Sequence, residues 1–194
     1  MAIQGPCRRN VKTDDVTRTR TRAAGCVLSR VALALSVLLS WPSGAQDQTM
    51  PPALQVALFR KIFPYDNGLA PPFKVLIVYV SDFASMASEI QKRFEKLEQA
   101  AETTSVADFS RKSKGANVVY LLSSTPVAAV KAFCLEQHVL SVSPFPSLAE
   151  RGEVSIAVGV KQGGQPEIVV HLARSKSEGQ DLQMPLLSLA RVIR

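Results

Sequence analysis

The chain has 194 residues, 46% hydrophobic and 20% charged, which is long enough for one well-packed domain and typical of a globular protein. Its formal net charge of +7 would ordinarily indicate a nucleic-acid partner. However, residues 1–45 hold seven basic and two acidic side chains, whereas the rest of the chain carries 16 basic and 14 acidic ones. Because the basicity belongs to the first 45 residues, we predict no nucleic-acid partner.

Residues 1–45 are predicted to be a secretory signal peptide. A basic stretch precedes the apolar run Val31–Trp41, and Pro42 with the small residues Ser43–Ala45 suits cleavage near Ala45. The run has about 11 residues, fewer than the ~20 that cross a bilayer as a helix. We therefore expect an exported, periplasmic protein whose single domain covers residues 46–194.

The predicted domain begins with a helix and a buried strand. Residues 53–63 place Leu54, Leu58 and Ile62 at helical spacing, before Pro64 stops the helix. Residues 73–80 are a nearly continuous β-branched run, typical of a strand buried on both faces of a parallel sheet. An amphipathic helix over residues 83–101 then covers that sheet.

The middle of the chain repeats the alternation of strand and helix. Strands are predicted at 103–109, 117–122 and 139–142, with a helix over 127–137. Ser123–Pro126 precedes this helix, as a hydroxyl cap followed by a proline at the first helical position. Alternation of this kind implies right-handed βαβ units and a mostly parallel sheet.

The last third of the chain has a different pattern. Residues 154–160 and 167–172 read as two strands of a hairpin around the Gly163–Gly164 turn. Residues 185–193 are predicted to form a closing amphipathic helix. The predicted fold class is therefore α/β, a mostly parallel sheet flanked by helices (an α/β sandwich) with a C-terminal β-hairpin and a closing helix.

Cys134 and His138 are the strongest candidates for chemistry. They are four residues apart on one predicted helix, and a Cys–His pair can generate a thiolate nucleophile. Yet Cys134 lies among apolar residues like a core cysteine, and His138 suits the negative end of the helix dipole. With His171 they would make three metal ligands, but they lack the short-spaced ligand pair of structural zinc sites. We therefore predict no catalytic, metal or cofactor site, and no enzyme.

Hydroxyl groups follow several predicted strands at their carboxyl ends. In parallel sheets ligands bind at that edge, near helix N-termini. Helix capping also explains each residue and is the favoured interpretation; a crevice for a small ligand is the alternative. The residues concerned are Ser81, Asp82, Ser123, Ser124, Thr125 and Ser143.

Four segments near the C-terminus carry a family resemblance: 139–143, the Arg151–Gly152 turn with strand 154–158, 168–172, and Gly179 with the ending 186–193. In order and spacing they resemble the YfiR-like (YfiR/HmsC) family of periplasmic regulatory proteins. This chain has His171 where the family usually has Asn. It has Phe63-Pro64-Tyr65 where the family has a Trp-Pro pair after its first helix.

The resemblance implies a periplasmic α/β sandwich that is able to form a homodimer. It further implies a non-enzymatic regulator that contacts the periplasmic domain of a membrane-anchored receptor, a diguanylate cyclase or a histidine kinase. In the cyclase case, release raises cyclic di-GMP and promotes biofilm formation. The aromatic end of the first helix, Phe59, Phe63 and Tyr65, is the candidate for part of the partner surface. Burial in the core is the alternative, favoured for Phe59 and evenly balanced for Phe63 and Tyr65. A small-molecule binding module is the alternative function.

Overall fold

A computed structural model describes residues 49–161 and 163–194. They all fall within one compact unit, Ala45–Arg194. The predicted signal peptide lies outside the described residues. Within the described ranges, no helix is both long and apolar enough to cross a membrane.

A seven-stranded sheet forms the centre of the described fold, with the strand order β2-β1-β3-β4-β5-β6-β7. Strands β1 to β5 are parallel, β6 is antiparallel to β5, and β7 is parallel to β6. The strands are β1 Lys74–Tyr79, β2 Ala100–Ser105, β3 Val118–Leu122, β4 Leu140–Ser143, β5 Ile156–Val160, β6 Pro166–His171 and β7 Arg191–Ile193.

Helices cover both faces of this sheet. They are α1 Pro52–Ile62, α2 Ala84–Lys96, α3 Phe109–Lys112, α4 Ala128–Glu136, α5 Pro146–Glu150, α6 Leu172–Ser177 and α7 Met184–Leu189. Single 3-10 turns follow α1 at Phe63–Tyr65 and precede α2 at Ser81–Phe83. Helices α1, α2 and α7 pack on one face, and α3, α4 and α5 pack on the other.

The β-branched run of β1 supplies both cores, as its composition predicts. Val75 and Ile77 point to the α1 side with Tyr120, whereas Leu76 and Val78 point to the opposite side. All four β1 residues are fully buried or nearly so. The α/β sandwich with a mostly parallel central sheet is therefore confirmed.

The C-terminal hairpin is confirmed, whereas the closing helix is shorter than predicted. Strands β5 and β6 pair antiparallel, and their turn contains Gly163 and Gly164 at φ +102° and +80°. A side chain would strain these backbone conformations, so the turn requires glycine. Helix α7 ends at Leu189, and the chain then extends as β7 beside β6, where the sequence predicts continued helix.

Two more predictions in the middle of the chain are wrong in position. The strand expected at 103–109 lies at β2, three residues earlier, and α3 occupies the end of the expected range. The Ser123 hydroxyl does not cap α4, which begins at Ala128 without a side-chain cap. Instead it donates to the Thr125 carbonyl at 2.8 Å and forms a local turn.

A buried polar cluster joins the segment after α6 to the amino ends of β4 and β5. The Glu178 carboxylate accepts bonds from the Ser141 backbone N–H at 3.0 Å, the Ser141 hydroxyl at 2.6 Å and the Ser155 hydroxyl. The Arg174 guanidinium lies 2.8 Å from the same carboxylate and also donates to the Lys131 carbonyl at 3.0 Å. Burial raises the pKa of Glu178 above its usual value, against the opposing effect of these donors. The cluster therefore connects the carboxyl end of α6 to the amino ends of β4 and β5.

Candidate functional site

The residues predicted to form the ligand crevice do meet at one edge of the sheet. Strands β1 and β3 are neighbours, and the Val80 N–H donates to the Leu122 carbonyl just beyond their ends. Ser81 and Asp82 therefore lie beside the segment Ser123–Thr125, with the end of β4 one strand further on. Ser81, Asp82, Ser124 and Thr125 are exposed there.

The two buried hydroxyls of this set serve the local backbone. Ser143 donates to the Leu121 carbonyl at 3.0 Å and accepts from the Phe145 N–H at 3.2 Å. Ser123 bonds within its own turn, to both the N–H and the carbonyl of Thr125. These contacts give each hydroxyl a structural role, but not the helix capping that the sequence favoured, because α2, α4 and α5 all begin without a side-chain cap.

The Cys134–His138 pair does not form a nucleophilic site. Cys134 lies on the core-facing side of α4 and is fully buried. Burial raises the pKa of its thiol well above the usual value. His138 is exposed at the end of α4. His171 is occupied elsewhere, because its Nδ1 accepts the Arg174 backbone N–H at 3.1 Å and caps α6. Among the described residues no group of three His, Cys, Asp or Glu side chains could hold a metal ion.

Two of the three aromatic residues predicted for the partner surface are core residues. Phe59 and Phe63 are both 0% exposed. Phe59 meets Tyr120 edge-on with ring centroids 5.2 Å apart, and Phe63 meets Phe73 at 5.6 Å. Their rings fill the space between α1 and the sheet, so they cannot present a surface. Tyr65 is 42% exposed and remains a surface candidate.

Tyr65 borders an open apolar groove between α1 and α7. The groove has a volume of about 730 Å³. Its most buried lining residues are Ile62 and Leu186, and its outer edge includes Leu189, which is 78% exposed. The full lining is Ala57, Leu58, Arg60, Lys61, Ile62, Pro64, Tyr65, Leu97, Ile168, Leu186 and Leu189. We call this set the α1–α7 groove.

Exposed apolar side chains are concentrated on the two helices that flank the groove. Four large hydrophobic residues are prominently exposed among the described ones: Leu54 at 51%, Tyr65 at 42%, Met184 at 73% and Leu189 at 78%. All four belong to α1, the 3-10 turn that follows it, or α7. A concentration of this kind is a feature of binding surfaces.

Hydrogen bonds hold the two walls of the groove together. The Asp66 carboxylate accepts the N–H groups of Gly68 at 2.9 Å and Asp181 at 3.0 Å. The Gln183 N–H donates to the Tyr65 carbonyl at 2.9 Å. The turn bearing Tyr65 is thereby fixed to the segment that leads into α7. Burial raises the pKa of Asp66, which these two N–H groups partly oppose.

The charge at the groove is positive. Among the residues that the structure describes, its lining includes Arg60 and Lys61, both exposed, and no carboxylate. Neither cation forms an ion pair with any residue that the structure describes. By contrast, the nearby Arg191 is held by Glu167 at 2.9 Å and by Glu150. The groove therefore combines an apolar floor with two positive charges that have no ion-pair partner within the described ranges.

Sequence reasoning missed most of this groove because the spacing of Leu54, Leu58 and Ile62 predicts the helix but does not show which of its faces is buried. In the structure the buried side chains of α1 are Gln55, Val56, Phe59 and Ile62. Leu54 and Leu58 are the residues that could have indicated an exposed apolar surface on α1. Apolar residues outside the core-facing stripe of a helix form a second apolar surface.

The fold is that of a doubly wound α/β domain, and its α1–α7 groove lies away from the strand ends where ligands usually bind in this class. The order β2-β1-β3-β4-β5 is one of the common arrangements of this class, and its switch point lies between β1 and β3. The α1–α7 groove lies elsewhere, on the helix-covered face beside β6.

Comparisons with known proteins support the fold alone. No protein-family model matches the sequence, and no curated protein matches it. The ABC domain from Streptococcus pneumonia in complex with L-Trp is similar, with a TM-score of 0.57, 12% identity and coverage of 74% of this chain. A conserved domain protein from Vibrio cholerae also has a TM-score of 0.57, with 14% identity and 76% coverage. This chain spans 60% and 61% of their lengths, respectively.

Proposed function

We propose that this chain is an exported, non-enzymatic regulatory protein that binds a membrane-anchored signalling protein through the α1–α7 groove. The observation that carries this proposal is the groove itself, where exposed Tyr65 and Leu189 border an apolar floor. Tyrosine and large apolar side chains in pockets supply much of the binding energy in protein interfaces. The predicted signal peptide supports a periplasmic location.

Hydrogen bonds across the groove also support this proposal. The bonds from Asp181 N–H to Asp66 and from Gln183 N–H to Tyr65 connect the turn that bears Tyr65 to the segment before α7. Contacts of this kind lower the cost of ordering the backbone of a binding site.

The class of partner rests on the resemblance to the YfiR-like family. It implies the periplasmic domain of a membrane-anchored diguanylate cyclase or histidine kinase, and control of cyclic di-GMP and biofilm formation in the cyclase case. The residues that carry the resemblance are mostly structural in this fold. Segment 139–143 contributes β4 at the centre of the sheet, and 168–170 lies within β6.

The proposal is tested by a pull-down from detergent-solubilised membranes, with residues 46–194 as bait. A Leu189→Ser variant removes an exposed side chain at the groove, and Leu54→Ser is the matched control on α1 outside the lining. We expect wild type and Leu54→Ser to recover a cyclase or receptor kinase, and Leu189→Ser to recover about tenfold less, equivalent to ~1.4 kcal/mol. The proposal fails if no membrane protein is enriched, or if both variants behave alike.

A second candidate function is binding of a small solute. It is favoured by the fold shared with a domain in complex with L-Trp, and by a groove volume within the ~300–1,000 Å³ typical of ligand sites. L-Trp at 100 times its dissociation constant would stabilise the domain by about 2.7 kcal/mol and raise its melting temperature. An unchanged melting temperature at millimolar L-Trp would exclude this ligand.

A further inference from the structure

We infer that the α1–α7 groove receives an amphipathic α-helix of the partner whose flank carries acidic side chains. This inference rests on the proposed function and names the chemistry of the segment that docks. It begins from the shape of the groove. The partly or fully buried lining residues form an apolar floor, and exposed ones form its edges. A helix with apolar residues at i, i+3, i+4 and i+7 fits a groove of this kind.

The positive charge of the groove favours acidic residues on the flank of that helix. Arg60 and Lys61 are consecutive, exposed and without an ion-pair partner in the described chain, and the lining contains no carboxylate. Glu or Asp residues beside the apolar stripe of a docked helix would face these two cations. Complementary charges at the edge of an interface accelerate association and reject partners of like charge.

The same charges argue against a second copy of this chain as the occupant. The exposed apolar side chains beside the groove lie on α1 and α7, with the 3-10 turn between them. Neither helix contains an acidic residue, and α1 carries Arg60 and Lys61 itself. A second copy that offered α1 would bring positive charge to a positive groove, and one that offered α7 would bring no acidic side chain to Arg60 and Lys61.

The concave shape also favours a helix over a bilayer surface. Ile62 and Leu186, which contribute to the floor, are only 2% and 3% exposed. A flat membrane would reach the outer residues Tyr65 and Leu189 and leave the floor unfilled, whereas side chains that project from a helix reach into the groove.

The inference is tested with two designed 18-residue helical peptides that share one apolar stripe and differ only in having Glu or Lys along the flank. Binding of each labelled peptide to residues 46–194 is measured by fluorescence anisotropy, at low and high salt. We expect the Glu peptide to bind at least about tenfold more tightly than the Lys peptide, and this preference to shrink as salt screens the charges.

Charge reversal on the protein provides the matched comparison. The double variant Arg60→Glu/Lys61→Glu should invert the peptide preference and lose the membrane partner in the pull-down. Lys176→Glu on α6, an exposed cation outside the groove lining, should change neither result. Circular dichroism confirms that each variant is folded.

Three outcomes would overturn the inference: no binding of the Glu peptide, equal binding of both peptides, or binding to phosphatidylglycerol vesicles that the Glu peptide does not displace. If the pull-down still depends on Leu189 while the peptides show no charge preference, the proposed function survives and only the acidic helix is wrong. If the Glu peptide binds but no membrane protein is recovered, the groove accepts such helices and the regulatory function is wrong.

Discussion

Removal of the Glu178 carboxylate tests whether the buried cluster stabilises the fold. The substitution Glu178→Ala leaves the Arg174 guanidinium, which is 4% exposed, without its counter-ion. It also removes the acceptor for the Ser141 backbone N–H and for the hydroxyls of Ser141 and Ser155. The loss of one partner from a buried ion pair costs about 3–5 kcal/mol, because the remaining charge stays buried and uncompensated.

That cost is large against the whole stability of a domain of this size, about 5–15 kcal/mol. With a urea dependence of about 1–3 kcal/mol per M, the unfolding midpoint should fall by about 2 M. The assay is urea unfolding followed by circular dichroism at neutral pH, with wild type and variant measured together. An exposed pair supplies the control, since Arg93→Ala breaks the ion pair with Glu89 and should cost only about 0.3–0.5 kcal/mol.

The double variant Arg174→Met/Glu178→Leu separates the charge effect from simple loss of packing. Replacing a whole buried pair with apolar residues is often close to neutral, so this variant should be more stable than Glu178→Ala. A Glu178→Ala loss below about 1 kcal/mol, which is the level of a surface pair, would refute the reasoning. So would a double variant less stable than the single one.

Three further predictions concern pH and single hydrogen bonds. Burial raises the pKa of Glu178, so the folded protein holds this proton more tightly than the unfolded chain does. The free energy of unfolding should therefore fall as pH rises from about 4.3 through the raised pKa. The urea midpoints of Glu178→Gln should lack this pH-dependent fall. Tyr120→Phe removes the hydroxyl that donates to the buried side-chain oxygen Oε1 of Gln55. It should lower the free energy of unfolding by about 1–3 kcal/mol, and an unchanged melting temperature would contradict that bond. His171→Ala removes the cap of α6 and should cost about 0.5–2 kcal/mol, whereas His171→Asn should preserve stability; equal losses for both would show that the cap is unimportant.

The central sheet could be predicted because its strands are buried on both faces. A run such as β3, in which all five residues are buried, must be apolar at every position, and few other structures produce that pattern. The hairpin could be predicted equally well, since both residues of the Gly163–Gly164 turn have positive φ, a conformation that residues with a side chain rarely adopt. The strand β2 was harder, because an edge strand is half exposed and its sequence carries polar residues.

The end of the chain could not be read from periodicity alone. Residues 186–193 are apolar at positions that suit either a helix or a strand, and the choice depends on β6. That strand leaves an edge open, and Arg191–Ile193 pairs with it in parallel. Tertiary pairing therefore decides the structure of a segment whose local pattern is ambiguous.

The orientation of α1 depended on a contact that the sequence does not reveal. Gln55 is polar but 0% exposed, because its side chain accepts the hydroxyl of Tyr120 from β3 and donates to the Met50 carbonyl. This satisfied amide turns Val56 and Phe59 towards the sheet and leaves Leu54 at the surface. A buried glutamine with both partners supplied costs little, so it can take a core position that hydrophobicity would assign to leucine.

Under the proposed function, partner specificity would depend on exposed residues at the groove and not on residues with a structural role. His171 caps α6, so its role is structural. The segment Phe63-Pro64-Tyr65 ends at the groove, where Pro64 and Tyr65 are part of the lining. Since Phe63 is buried, only Pro64 and Tyr65 of this segment could contact the proposed partner, next to the exposed side chains of Arg60 and Lys61. Substitution of Pro64 and Tyr65 should therefore alter which membrane protein the pull-down recovers. The same substitution should change the midpoint of urea unfolding only slightly.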